Sequence, residues 1–138
     1  GAAAKNVMGI CAGILDGFSL STLKGPLMAR GPHEVSRLVE LMGGDKMSVY
    51  GLSHIGDYEA TLFSPHSHNR GFGEAVARGE SYSYLAEGFS TTKALTVLAK
   101  EYNAEMPITS ALYDVLFNNA EPRATLGNLF LRSLKSEF

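Results

Sequence analysis

Residues 2–18 read AAAKNVMGICAGILDGF, and this stretch decides the fold because its apolar residues recur at helical spacing. The spacing predicts a helix of roughly four turns. Gly9, Gly13 and Gly17 follow one another at intervals of four residues. Each glycine lowers the stability of a soluble helix by about 1 kcal/mol, so their presence needs a reason. Three glycines on one face predict close packing against a neighbour. The other faces are apolar too, which is typical of the central helix of a bundle.

Helical spacing predicts the remaining elements as well, and strand-like alternation is almost absent. After residue 21 a long helical segment runs to Gly43-Gly44; Pro26 suits its first turn, whereas Pro32 should kink or split it. A short helix is predicted at about 46–50, followed by an irregular segment at 52–68. The next two helices are predicted from near Asn69 to about Arg78 and from a cap at Ser90 or Thr91 to Lys100. The last two are predicted to begin at Pro107 and at Pro122. The chain is therefore predicted to be a single all-α domain, residues 1–138, of six to eight helices.

Composition excludes several classes of partner. The 138 residues are 45% hydrophobic and 19% charged, which is enough apolar material for a core. A net charge of −2 provides no basic surface for nucleic acid, and the apolar run that starts at Val7 is stopped by Asp16, short of the roughly 20 residues of a membrane span. The single Cys11 lies in that run. We expect it to be a buried hydrophobe in a protein of the cytoplasm.

Lys5 and Asp57 are the first candidates for chemistry. Lys5 lies in the first turn of an otherwise apolar helix. Either it reaches water, or its ammonium lies at the rim of a pocket and exchanges a proton with a reacting oxygen. Asn6 could then hold a substrate hydroxyl. Asp57, which follows Gly56, either caps a turn or orients Lys5 as its carboxylate partner.

The run SPHSHNRGFG, residues 64–73, allows three interpretations. His66 and His68 could bind zinc, but a third ligand is needed, and His33, His54 and Asp57 are candidates by sequence only. Alternatively, Ser67, His68, Asn69 and Arg70 are consecutive donors just before a helix, where free N–H groups favour a phosphate or carboxylate. The run could also be a solvated turn. The anion interpretation fits the pattern better than a metal site.

Glu87 is the last candidate. It precedes the helix that Ser90 is predicted to cap. It is either a first-turn carboxylate without a role or an acceptor for a ribose or nicotinamide group.

Several blocks in order resemble the C-terminal, substrate-binding domain of bacterial NAD(P)-dependent glycerol-3-phosphate dehydrogenases. These blocks are GAAAKNV (1–7), GLSHIGD (51–57), SPHSHNRGFG (64–73), AEGFSTTKAL (86–95), MPITSALYDVL (106–116) and SLKSE (133–137). The resemblance implies the all-α fold of the 6-phosphogluconate dehydrogenase C-terminal type. It also implies hydride transfer between NAD or NADP and sn-glycerol 3-phosphate or dihydroxyacetone phosphate, in the service of glycerophospholipid synthesis, and suggests a homodimer.

The same resemblance implies roles for individual residues. Lys5 would exchange the proton with the carbonyl oxygen, and Asp57 would be its partner. Glu87 and His68 would lie near the cofactor. The substrate would be held by Asn6, Thr61, Ser67, His68, Asn69 and Arg70.

Several features depart from the family pattern, among them the following two. His68 stands where the pattern has an arginine, and histidine offers fewer donors than the planar guanidinium. The chain also has no strand followed by Gly-x-Gly-x-x-Gly and a helix, so a dinucleotide-binding domain is expected to precede Gly1. The isolated domain should then be inactive. A related dehydrogenase for another small hydroxy compound, or a non-catalytic helical interaction module, remains an alternative.

Overall fold

The computed structural model describes residues 2–45, 47 and 67–137, and these ranges form six α-helices and one 3-10 helix without a β-strand. The all-α prediction is confirmed. The elements are α1 (Ala2–Gly17), the 3-10 helix (Ser21–Leu23), α2 (Lys24–Leu41), α3 (His68–Arg78), α4 (Glu87–Glu101), α5 (Pro107–Phe117) and α6 (Pro122–Glu137).

Helix α1 is the centre of the bundle, as its all-round apolar sequence predicts. It contacts each of the other five α-helices. Six of its side chains are completely buried: Val7, Met8, Ile10, Cys11, Ala12 and Ile14. Burial raises the pKa of the Cys11 thiol far above its ordinary value, so this cysteine is part of the apolar core rather than a nucleophile.

Glycines allow α1 and α3 to approach within backbone contact. A Cβ atom added to Gly13 would overlap the Arg70 carbonyl oxygen, and one added to Gly73 would overlap the Ile10 carbonyl oxygen. Further along, a Cβ on Gly17 would lie 2.5 Å from the Cβ of Ala77. The close packing predicted from the four-residue glycine spacing is therefore confirmed at Gly13 and Gly17.

Helix α2 continues through Pro32, so the predicted split is wrong. Leu27 precedes the proline, Val35 and Leu38 follow it, and all three are buried. Burial of both halves in one core offsets the backbone hydrogen bond that proline removes. The predicted end is correct, because the Gly44 N–H donates to the Val39 carbonyl at 2.8 Å.

Helix α4 begins at Glu87, three residues before the predicted cap. The Ser90 and Thr91 hydroxyls do not cap it; both donate back to the Glu87 carbonyl. The prediction failed because the first turn takes its hydrogen-bond acceptor from Asn69 on α3. The predicted starts of α3, α5 and α6 agree with the structure within a residue.

The predicted short helix at 46–50 lies outside the described residues apart from Met47. Across the ranges that are described, we find no helix with the length and apolar character needed to cross a bilayer.

Candidate functional site

The start of α4 contacts both the start of α3 and the N-terminal part of α1 at Asn6. The Gly88 N–H donates to Asn69 Oδ1 at 2.9 Å, which joins the start of α4 to the start of α3. A Cβ on Gly88 would lie 2.5 Å from the Asn6 carbonyl oxygen, so α4 also rests against the backbone of α1. Three of the predicted site residues, Asn6, Asn69 and Glu87, therefore lie on neighbouring turns.

Two cavities of similar volume lie among the described residues. One, of about 390 Å³, opens between the ends of α2 and α4 and contains no predicted site residue; the other adjoins the predicted site. It has a volume of about 380 Å³ and is lined by His68, Asn69, Tyr84, Leu85 and Glu87. Its wall combines a histidine ring, an amide and a carboxylate with one aromatic and one aliphatic side chain. Such a mixture suits a small polar ligand that carries a planar group.

Ser67 forms the N-cap of α3. Its Oγ accepts a hydrogen bond from the Arg70 N–H at 3.3 Å, and its carbonyl accepts one from Gly71 at 3.0 Å. The side chain thus satisfies one of the amide groups that a helix N-terminus leaves without a partner. The structure gives Ser67 a capping contact, and its contact with substrate stays a prediction.

His68 is held by two tyrosines of the segment between α3 and α4. Its Nδ1 lies 3.1 Å from the Tyr82 hydroxyl, and its ring stacks on Tyr84 with a centroid separation of 4.9 Å and an interplanar angle of 24°. The predicted site did not include either tyrosine. The available signal was the cluster of aromatic residues just before Glu87 in a segment without helical spacing.

Arg70 extends away from the start of α1. Its Nη1 lies 2.9 Å from Asp16 Oδ2 and also pairs with Glu74, while Lys24 Nζ approaches Asp16 Oδ2 to 2.6 Å. Asp16 is eleven positions beyond Lys5, or about 16 Å along a helix. The structure therefore places the Arg70 guanidinium by the far end of α1, and its predicted role in binding substrate stays untested.

Asp16 is the carboxylate that pairs with both Lys24 and Arg70 near the C-terminal end of α1. Burial, the largest single influence, raises the pKa of its carboxyl, but hydrogen bonds from Lys24, Ser21 and Arg70, with the Lys24 charge, outweigh it and leave the pKa below its ordinary value. The carboxylate is thus ionised where two cations meet it. Sequence reasoning missed Asp16 because no spacing rule connects it to residue 70.

Lys5 lies half-buried in the first turn of α1, one residue from Asn6. Its predicted partner Asp57 and the substrate residue Thr61 lie outside the described residues, as do His54 and His66. The part of the chain that is described contains no group of three or more histidine, cysteine, aspartate or glutamate side chains suited to a metal ion. His33, the remaining metal candidate, lies exposed on α2.

Comparison with known proteins shows which family the chain resembles. A family model described as the C-terminus of NAD-dependent glycerol-3-phosphate dehydrogenase matches residues 1–127. Glycerol-3-phosphate dehydrogenase [NAD(P)+] 1 of Salinibacter ruber is 41% identical over 145 residues, which cover 99% of this chain and 42% of the relative. The Thermotoga sp. (strain RQ2) enzyme is 41% identical over 144 residues, covering 99% and 45%.

The fold agrees as well. The crystal structure of glycerol-3-phosphate dehydrogenase from Coxiella burnetii superposes with a TM-score of 0.85 at 31% identity, covering 92% of this chain and 42% of that one. The chain thus spans less than half the length of the relatives it matches. On the family match across residues 1–127, the chain belongs to the family of NAD-dependent glycerol-3-phosphate dehydrogenase C-terminal domains.

Proposed function

We propose that this chain is the substrate-binding part of an NAD(P)-dependent dehydrogenase that interconverts sn-glycerol 3-phosphate and dihydroxyacetone phosphate. The observation that carries the proposal is the Asn69–Gly88 hydrogen bond of 2.9 Å. It joins the beginnings of α3 and α4, and α4 in turn rests on α1 at Asn6, next to Lys5. The names of the relatives supply the reaction.

The proposed division of labour follows from the chemistry of each group. Lys5 Nζ gives a proton to the carbonyl oxygen during reduction and takes it back during oxidation. Asp57 orients that ammonium, and Asn6 and Thr61 hold the hydroxyl groups of the substrate. Asn69 uses its Oδ1 for Gly88, so its Nδ2 group is the donor that it can offer to substrate.

The phosphate is assigned to the first turn of α3. Ser67 and His68 belong to this turn, and backbone N–H groups and the positive end of a helix favour an anion there. Arg70 belongs to the turn by its backbone, while its guanidinium pairs with Asp16. This orientation of the substrate lowers the entropic part of the barrier before any bond changes.

The residues around the cavity also suit the edge of a nicotinamide nucleotide. Glu87 supplies a carboxylate that can accept from a ribose or an amide, and Tyr84 and Leu85 supply an aromatic and an aliphatic surface. When bound, the cofactor supplies or accepts the hydride. This chain contributes the rim that positions it, and the main cofactor site belongs to a dinucleotide-binding domain expected before Gly1.

The proposal includes further partners and a location. We expect a homodimer and a cytoplasmic enzyme that feeds glycerophospholipid synthesis. The single buried Cys11 is compatible with a reducing compartment.

The test uses the full-length protein that contains this domain. Lys5→Ala should reduce kcat for dihydroxyacetone phosphate by about 10²–10⁴-fold, the usual contribution of a positioned acid or base, with little change in cofactor binding. Lys93→Ala is the matched control because Lys93 is exposed on α4. Turnover by Lys5→Ala close to that of Lys93→Ala would remove Lys5 from the reaction.

A second candidate is favoured by His68, which replaces an always-charged arginine of the family pattern. A related dehydrogenase could act on another small phosphorylated or carboxylated hydroxy compound. A substrate panel on the full-length protein decides between the two, because a clear preference for a different hydroxy acid would support the second candidate.

A further inference from the structure

The Tyr82 hydroxyl and the Tyr84 ring hold the His68 imidazole on two sides. Tyr82 OH lies 3.1 Å from Nδ1, and Tyr84 lies against the face of the ring at 4.9 Å between centroids. The two tyrosines also contact each other, with centroids 5.7 Å apart at 61°. The imidazole therefore has a fixed neighbour at one nitrogen and a fixed neighbour at one face.

Tyr82 is itself held in place by the first turns of α3. A Cβ added to Gly71 would lie 2.6 Å from the Tyr82 hydroxyl oxygen and 3.0 Å from Cε1 and Cζ, so the ring lies directly against Gly71 and a larger residue there would have to displace it. Phe72 meets the Tyr82 ring edge-on at 6.2 Å. Tyr82 is half-buried, whereas Tyr84 is 64% exposed, so Tyr82 is the better anchored of the two.

The chemistry of the two rings determines what this contact does. A phenol hydroxyl can both donate and accept, whereas a neutral imidazole has one N–H and one bare nitrogen. If Tyr82 donates to Nδ1, the proton of the neutral ring belongs on Nε2. If the ring is charged, Nδ1–H donates to Tyr82 and Nε2 still carries a proton. When Tyr82 donates to the neutral ring, Nε2 is therefore a donor in both charge states, whereas a neutral ring that donated Nδ1–H to Tyr82 would leave Nε2 bare.

We propose that Tyr82 is a positioning residue that keeps His68 Nε2 protonated and so makes it a constant donor to the phosphate of the substrate. The proposal rests on the proposed function for its substrate. It explains how a histidine can stand where the family pattern has an arginine. Arginine donates at all accessible pH values, and an unsupported neutral histidine would divide its proton between two nitrogens.

The first test is spectroscopic and needs no turnover. Long-range ¹H–¹⁵N spectra of the full-length protein, labelled at histidine, separate the two neutral tautomers, and the His68 signals are those lost in His68→Ala. We expect an Nε2–H tautomer in the native protein and mixed tautomers in Tyr82→Phe. Tyr102→Phe is the control because Tyr102 follows the end of α4, away from His68. An Nδ1–H tautomer in the native protein overturns the proposal.

The second test is kinetic. Tyr82→Phe should raise KM for dihydroxyacetone phosphate about five- to tenfold, the worth of one lost hydrogen bond, with kcat changed less than twofold. In a His68→Ala background the same substitution should add nothing, because Tyr82 acts only through His68. An equal rise in KM in both backgrounds overturns the proposal.

The two tests separate this proposal from the function on which it rests. A protein that holds the Nε2–H tautomer but does not turn over dihydroxyacetone phosphate would refute the proposed substrate while leaving the Tyr82–His68 contact established. If the native enzyme turns over dihydroxyacetone phosphate and Tyr82→Phe has the same KM, the role of Tyr82 is refuted and the proposed function is not.

Discussion

Asn69 caps helix α4 from the first turn of α3, because its Oδ1 accepts the Gly88 N–H at 2.9 Å. The two residues are 19 positions apart, and no side chain of α4 caps its N-terminus. The bond fixes Glu87 at the cavity that His68 and Asn69 also line. One amide thus serves both the helix boundary and the geometry of the candidate site.

Asn69 variants should separate stability from substrate binding. Asn69→Ala removes the acceptor and should lower the free energy of unfolding by about 1 kcal/mol, measured by urea titration. Asn69→Asp keeps an oxygen acceptor at a helix N-terminus and should unfold like the native protein, yet raise KM because the donor is lost and a negative charge faces the phosphate. Asn128→Ala, at an exposed position of α6, is the control. Equal stability of Asn69→Ala and Asn128→Ala would contradict the capping role.

The contact between α1 and α3 predicts a marked difference among glycines. Gly13→Ala and Gly73→Ala each place a methyl group on the backbone of the facing helix and should destabilise by about 1–3 kcal/mol or more. Gly25→Ala is the matched control, since a Cβ at Gly25 meets nothing within 4 Å and alanine favours helix. Thermal unfolding of the three variants measures the difference. If Gly25→Ala lost as much stability as Gly13→Ala, the glycines would be required for their backbone conformation rather than for close packing of the helices.

Much of the fold could be predicted from the sequence, because helical spacing depends on neighbouring residues. The central position of α1 and the close approach at Gly13 and Gly17 followed from one apolar stretch. What could not be predicted depends on partners far along the chain. Asn69 moves the start of α4 to Glu87, and burial on both sides of Pro32 keeps α2 continuous.

The candidate site divides in the same way. The family resemblance placed Asn6, Asn69 and Glu87 in one site, and the structure joins their turns through Gly88. Tyr82 was missed because its meaning depends on the space left by Gly71, which only the packed structure reveals. Arg70 was assigned to substrate by resemblance, whereas its contact with Asp16 arises from the packing of α3 along α1.

Glu34 gives a second helix a remote cap. This residue of α2 is 2% exposed, and its carboxylate accepts from the Ile108 N–H at 2.8 Å and from the Thr109 N–H and hydroxyl at 3.0 and 2.7 Å. Glu34→Gln should cost about 1–3 kcal/mol, because one oxygen becomes an NH₂ group that cannot accept. Urea unfolding at neutral pH measures this cost, and an unchanged midpoint would contradict it.

The same residue makes stability depend on pH. Burial raises the pKa of the Glu34 carboxyl, and hydrogen bonds from Thr109 and Ile108 with the Arg37 charge oppose that rise only in part. The folded protein therefore holds this proton more firmly than the unfolded chain. The resulting stabilisation is complete below the ordinary value of 4.5 and is lost as pH rises through the folded-state pKa.

The measurement is the free energy of unfolding between about pH 4 and 8. The difference between native protein and Glu34→Gln should shrink as pH rises, while Glu80→Gln, at an exposed position, should follow the native curve. A difference that grows with pH would mean that the folded-state pKa lies below the unfolded one.

The Asp16–Arg70 pair should behave as a coupled, mostly buried interaction. Both side chains are 14% exposed, whereas Arg78, which pairs with Glu74 at 3.2 Å, is 54% exposed. A double-mutant cycle with Asp16→Asn and Arg70→Met should give a coupling energy of about 1–2 kcal/mol. The cycle with Glu74→Gln and Arg78→Met should give less than about 0.5 kcal/mol, as exposed pairs do.

The same variants decide what Arg70 does. Asp16→Asn keeps the Arg70 guanidinium but removes the carboxylate that it pairs with. If Arg70 has only a structural role, this variant should lower the free energy of unfolding and leave KM unchanged. Since the pKa of Asp16 lies below 3.8, its contribution is present above that value and is lost as pH falls through the lowered pKa. Asp16→Asn should therefore flatten the acid side of the stability curve. A rise in KM in Arg70→Met, without one in Asp16→Asn, would instead support direct contact between Arg70 and the phosphate.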